Sequence, residues 1–148
     1  MALELLTRQT VQILDGTNLG WEEAIERAAA PLVEANKIGS DYVQSMVDVV
    51  KKQGPYINIG PEIALAHSRP TASVKEIGLA LLKTNQDVNL LDDNSHPVKL
   101  WFVLAAVDST SHLEVIKELS QLLMQPEKVK QLLSADDVDE ILRLVHEY

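Results

Sequence analysis

Two histidines and an arginine are the residues of this chain best suited to chemistry. His67 and Arg69 stand two residues apart in a run punctuated by prolines, from Gly54-Pro55-Tyr56 through Gly60-Pro61 to Arg69-Pro70, and His112 stands in Ser111-His112-Leu113-Glu114. Unperturbed imidazole titrates near pH ~6.5, so at neutral pH a ring nitrogen keeps a lone pair that can attack an electrophile. Arg69 would add a permanent cation beside it. Each proline fixes its own φ and pushes the preceding residue out of the helical region, so Gly54, Gly60 and Arg69 are expected to be extended or turned and His67 to sit on a constrained loop. From local composition alone a second reading stays open for each histidine: His67 as a satisfied structural residue, and His112 as a solvated residue at a helix start.

Other chemistries find little support. Asp92, Asp93, Asn94 and His96 gather three oxygen-bearing side chains and a histidine, but the spacing has neither the glycine and terminal glutamate of an EF-hand nor a zinc pattern. An ordinary polar connection between strands is expected there, with no metal and no cofactor. A phosphate-binding glycine loop and a GxSxG elbow are both missing, which argues against a nucleotide-using kinase and a serine hydrolase. Zero cysteines exclude thiolate catalysis, a disulfide framework and cysteine-ligated zinc, so any cysteine chemistry would belong to a partner.

The elements that must position the histidines can be read from periodicity and breakers. Residues 10–14 read as a first strand, closed by the turn formers Asp15, Gly16, Thr17 and Asn18. Ile25, Ala28, Ala29 and Leu32 recur at helical spacing behind Glu22 and Glu23, with Pro31 late in the pattern as a possible kink. Gly39-Ser40 offers a stop followed by an N-cap at Ser40 for a second helix striped by Val43, Met46, Val47 and Val50 and closed by Lys51 and Lys52. That helix ends just before Gly54-Pro55, and Thr71-Ala72-Ser73 reads as loop after Pro70. Residues 77–82 and 100–106 are apolar runs suited to strands buried on both faces. Ser111 with Glu114 matches a capping box, which places His112 at the first position of a helix packed by Val115, Ile116, Leu119, Leu122 and Leu123. The unpaired N–H groups of that helix start are further candidates to meet an anion. Pro126 begins a short helical turn, and Val138, Ile141, Leu142 and Val145 define a last helix with His146 in its final turn. Apolar strands alternating with helices imply an α/β fold: one domain over residues 1–148, with a central mixed sheet flanked by helices on both faces.

Composition bounds the partners. The net charge of −9 argues against nucleic acid, whose phosphates call for a basic face, and suits a basic protein partner better. The apolar stretch at residues 100–107 is far short of the ~20 residues of a spanning helix. The amino terminus shows no basic region followed by an apolar signal core, so a cytoplasmic location without membrane insertion is expected.

The run Gly54-Pro55-Tyr56, Pro61, Ala64-Leu65, His67, Arg69-Pro70 resembles the active-site segment of the EIIA components of the bacterial phosphoenolpyruvate-dependent sugar phosphotransferase system, in the mannitol/fructose superclass and nearest its ascorbate-type branch. The resemblance runs over nearly the whole chain and implies the same α/β architecture. It implies that His67 carries a phosphoryl group on Nε2, received from the phosphocarrier protein HPr and passed to a cysteine of the cognate EIIB, which works with a membrane EIIC transporter. By the same resemblance His112 would donate a hydrogen bond toward the phosphoryl oxygens, with Arg69 as a supporting cation. An apolar rim including Ile63 and Leu65 is expected to receive HPr and EIIB in turn. The chain departs from the family pattern at Ala66, where proline is usual, which would loosen the residue before the histidine. A regulatory EIIA, whose phosphorylation state controls a protein partner without transport, is the alternative; an inert His67 in a binding module is a third.

Overall fold

The computed structural model describes residues 2–69 and 72–146. Pro70 and Thr71, read above as turn and loop, lie outside them. After a 3-10 turn at Ala2–Leu5, the elements are β1 (Val11–Leu14), α1 (Trp21–Glu34), α2 (Ser40–Gln53), β2 (Asn58–Gly60), β3 (Glu62–Ala66), β4 (Gly78–Asn89), β5 (Pro97–Ala105), α3 (Ser109–Leu123), α4 (Pro126–Ser134) and α5 (Val138–His146). Among the described residues five strands form one sheet in the order β1-β4-β5-β3-β2. β1 is parallel to β4 and β3 is parallel to β5, while the β4–β5 and β2–β3 pairs are antiparallel. The sheet is mixed, as the alternation of apolar runs and helices implies.

Side chains alternate across a strand, so each central strand supplies both faces. Ala64, Ala66, Ala80, Leu82, Trp101, Val103 and Ala105 pack against the apolar stripes of α1 and α2. Ile63, Leu65, Leu79, Leu81, Leu100, Phe102 and Leu104 pack against α3, α4 and α5. This double burial explains why residues 77–82 and 100–106 read as unbroken apolar runs. β4 continues past that run to Asn89, because pairing with β5 resumes at Val88 and Asn89 beyond a register shift and supplies the backbone bonds that the polar sequence does not announce. Lys83 is buried within it and donates from Nζ to the Ala135 carbonyl at the end of α4, at 2.9 Å.

Several local expectations change. Pro31 lies inside α1, which runs on to Glu34. The carbonyl four residues earlier, Arg27, loses its helical N–H and is satisfied instead by Gln12 of β1, whose amide donates to it at 2.7 Å. The N-cap of α2 is Gly39 and not Ser40; Gly39 is held extended beside the Ile38–Val74 bridge, its N–H donating to the Ser73 carbonyl. Pro126 opens a nine-residue helix rather than a short turn. His146 ties the two ends of the described chain together, its Nε2 donating to the Leu6 carbonyl at 3.0 Å.

Gly54 ends α2 with φ 90 and ψ −160, a region open essentially to glycine, while its N–H still bonds the Val50 carbonyl. No atom stands within 4 Å of where a Cβ would go, so the constraint is conformational and not steric. Gly54→Ala is expected to lower stability by about 1–3 kcal/mol. A urea-unfolding midpoint equal to wild type would refute this.

Candidate active site

His67 is placed by the end of an interior strand. β3 and β5 run parallel as neighbours, and both end on the same side of the sheet, the place where α/β proteins commonly bind and react. His67 follows β3 directly, while β5 runs on through residues 106–108 into α3, which carries His112. The turn that launches β3 is locked by Asn58. Its amide nitrogen donates to the carbonyls of Gly60 and Ile63, at 2.8 and 2.9 Å, and its oxygen accepts from His96 Nδ1 at 2.7 Å. Ala66 is a buried strand residue opposite Val103, so here the ladder to β5 supplies the stiffness that a proline before His67 would give.

The imidazole of His67 is half-buried and oriented. In a strand the N–H and C=O of one residue point to the same side. The N–H of Leu65 donates to the Ile57 carbonyl at 2.8 Å, and the Leu65 carbonyl accepts from His67 Nδ1, also at 2.8 Å. A carbonyl can only accept, so Nδ1 bears the proton and Nε2 the lone pair. Tyr56 closes one side of the ring: the two rings meet edge to face at 5.5 Å and 73°, and the Tyr56 hydroxyl donates to the His67 carbonyl at 3.2 Å. On another side lies His112, its ring centroid 5.8 Å away and tilted by 49°.

The structure thus brings His67 and His112 together. His112 Nε2 is buried and has no hydrogen-bond partner among the described residues. Burial, and secondarily the neighbouring His67, push the His112 pKa below the usual histidine value, which favours a neutral ring. Arg69 is exposed, two residues beyond His67.

Two expectations about this region are corrected. The N-cap of α3 is Asp108 and not Ser111, so His112 occupies the fourth helical position and not the first. The Asp108 carboxylate accepts from the Ser111 N–H at 2.8 Å and from the Ser111 hydroxyl at 2.9 Å. These bonds hold its pKa below the ordinary carboxylate range. The helix start is therefore already occupied by a carboxylate, which takes up the Ser111 N–H. Asp108→Ala is expected to fray the first turn of α3, displace His112 and lower the melting temperature. Because the depressed carboxylate stabilises the fold only while ionised, that loss shrinks as pH falls through the Asp108 titration. A melting difference that stays constant from pH 7 to pH 3 would contradict it.

The second correction concerns the rim. Ile63 and Leu65 are each only 4% exposed, committed to the core beneath α3, and cannot receive a partner. Of the exposed apolar residues, Tyr56 meets the His67 ring, Val107 lies in the connection from β5 to α3, and Leu113 follows His112 in the chain, at 39%, 46% and 66%. Asp93 accepts from the Ser95 N–H and hydroxyl in the connection between β4 and β5, while His96 turns to Asn58, so these residues of the former metal candidate are used structurally. Among the described residues no group of three or more His, Cys, Asp or Glu side chains is placed to hold a metal, and no helix is long and apolar enough to cross a membrane.

Sequence reasoning missed Tyr42, whose hydroxyl lies buried beneath the segment after His67. In the sequence it is one more apolar position of α2, and only the tertiary path of β3 and β5 brings polar backbone to its tip.

A five-stranded mixed sheet with helices on both faces agrees with the fold of the solved structures this chain resembles. The family model described as "Phosphoenolpyruvate-dependent sugar phosphotransferase system, EIIA 2" matches residues 4–148. The chain belongs to that family of phosphotransferase-system components. It is 33% identical over 125 residues to the mannitol-specific cryptic phosphotransferase enzyme IIA component of Escherichia coli K12, covering 84% of each chain. It is 32% identical over 126 residues to the ascorbate-specific PTS system EIIA component of the same strain, covering 84% of this chain and 82% of that one. The solution structure of the E. coli cryptic mannitol enzyme IIA superposes with a TM-score of 0.88 over the whole of both chains, at 28% identity. A complex of E. coli mannitol enzyme IIA with phosphorylated enzyme IIB matches with a TM-score of 0.77 at 25% identity, over 96% of this chain and 97% of that one.

Proposed function

We propose that this protein is a phosphoryl carrier that accepts a phosphoryl group from phospho-HPr on Nε2 of His67 and passes it to a cysteine of a cognate EIIB. The observation that carries this reading is the hydrogen bond from His67 Nδ1 to the Leu65 carbonyl, which leaves Nε2 as the nucleophilic nitrogen, facing away from its own backbone. In the first transfer the Nε2 lone pair forms a bond to phosphorus as the bond to the donor breaks. In the second, a thiolate of EIIB attacks the same phosphorus and Nε2 leaves. Such transfers depend on positioning and on donors around the phosphoryl oxygens more than on covalent work by the protein. His112 would donate from its unpartnered Nε2–H, and Arg69 would add a cation from the exposed side. Tyr56, Val107 and Leu113 would form the apolar rim on which HPr and EIIB dock in turn, EIIB handing the group to sugar entering through a membrane EIIC. The mannitol IIA–IIB complex supports an EIIB partner, and the reading places the protein in the cytoplasm.

Incubation with labelled phosphoenolpyruvate, enzyme I and HPr tests the carrier role. Label should appear on the wild type in the presence of all three and leave it on addition of an EIIB encoded beside it. Label that is accepted but leaves to no EIIB would favour the regulatory alternative, and no label at all would leave His67 inert.

A further inference from the structure

We infer that Tyr42 is a positioning residue for this transfer: its one hydroxyl ties together the two chain segments that deliver His67 and His112. The inference rests on the carrier reading above. Tyr42 stands in the first turn of α2, 1% exposed, with its ring in the core between that helix and the sheet. Its hydroxyl donates to the Leu104 carbonyl at 2.9 Å and accepts from the Ser68 N–H at 3.2 Å, with the Ser68 carbonyl also 3.2 Å away. Ser68 follows His67, and Leu104 lies near the end of β5, the strand that leads to His112.

The placement answers a physical need. Ladder pairing between β3 and β5 is registered from Glu62 to Ala66, so beyond Ala66 the two strands part and their backbone groups require other partners. A phenol hydroxyl at the fork can donate to one strand and accept from the other. Burial raises the Tyr42 pKa, so the proton that reaches Leu104 is retained at neutral pH. Phenylalanine would fill the same volume and leave the buried Leu104 carbonyl and the half-buried Ser68 N–H without that partner. The two segments would then part, and with them the imidazoles now 5.8 Å apart.

The test is Tyr42→Phe. Its phosphoryl-transfer rate from phospho-HPr is expected to fall about fivefold to tenfold, the effect of one neutral hydrogen bond, with KM for phospho-HPr unchanged because the docking surface is untouched. The imidazole of His112, followed by NMR across pH, should titrate higher than in the wild type, since both its burial and the nearby His67 charge diminish. Ser45→Ala removes a hydrogen bond to the Tyr42 carbonyl and leaves the hydroxyl alone, and it should transfer at the wild-type rate. Wild-type transfer by Tyr42→Phe with an unchanged His112 titration would overturn the inference. Should Tyr42→Phe not fold, amide exchange at Ser68 in the wild type decides: protection supports the tie, and exchange at the rate of an open loop overturns it. If the wild type takes no label on His67 the carrier reading fails separately, and the His112 titration still reports on the tie.

Discussion

His67→Ala is expected to take up no label from phosphoenolpyruvate, enzyme I and HPr, a loss of at least about a thousandfold in transfer, as follows when a nucleophile is removed and positioning alone remains. The proposed acceptor is a single lone pair, oriented by the carbonyl of Leu65. The other described histidines are placed differently. His146 Nε2 donates to Leu6, and His96 lies at the far end of β3, bound to Asn58. His112 Nε2 is buried, unlike the half-exposed ring of His67 whose lone pair is on Nε2. The fold should survive, because the substitution removes one partly buried hydrogen bond worth about 1 kcal/mol. On the wild type the label should resist base and be lost in mild acid, as a phosphorus–nitrogen bond requires. Label that persists on a folded His67→Ala protein would move the acceptor elsewhere and end this assignment.

His112→Ala is expected to retain acceptance but to slow transfer by about ten- to a hundredfold, the range for removing one donor aimed at developing charge. Its Nε2 meets no partner among the described residues, and in the proposed carrier role it would donate to a phosphoryl oxygen on His67. Phosphorylation would bring ~−1.5 to −2 charge close to it. Stability also has a predictable sign. The folded-state pKa of His112 lies below its unfolded value, chiefly through burial. On acidification below pH ~6.5 the unfolded chain therefore binds this proton before the folded chain does, and stability falls until the folded form also titrates. His112→Ala should flatten that part of the pH–stability curve. An unaltered transfer rate, or an unaltered curve between pH 7 and pH 5, would show that His112 is only a neighbour.

Much of the architecture was legible because burial on both faces of a sheet forces uninterrupted apolar runs, and helices packed on one side show a helical stripe. Residues 100–106 and the stripe of α2 needed nothing more. Caps were less legible. Asp108, Ser109, Thr110 and Ser111 are all good N-cap residues, and the Ser111–Glu114 pairing favoured the wrong one, because the choice is made by where β5 ends and how the chain turns out of it. The apolar rim failed for a related reason: Ile63 and Leu65 look available in a loop-like segment, but β3 is an interior strand and points them into the core.

By itself the sequence determined the ingredients: an α/β alternation, a histidine set among prolines before an arginine, a second histidine near a helix start, and a motif that resembles one family. Those properties are local, carried by periodicity and by residues that restrict φ. Tertiary structure alone decided that β3 and β5 lie parallel and adjacent, which brings residues far apart in the chain to ring-to-ring distance, proton on Nδ1 and lone pair on Nε2. It also set the hydroxyl of Tyr42 where the two strands part, because which backbone groups lose their ladder partner depends on where pairing stops.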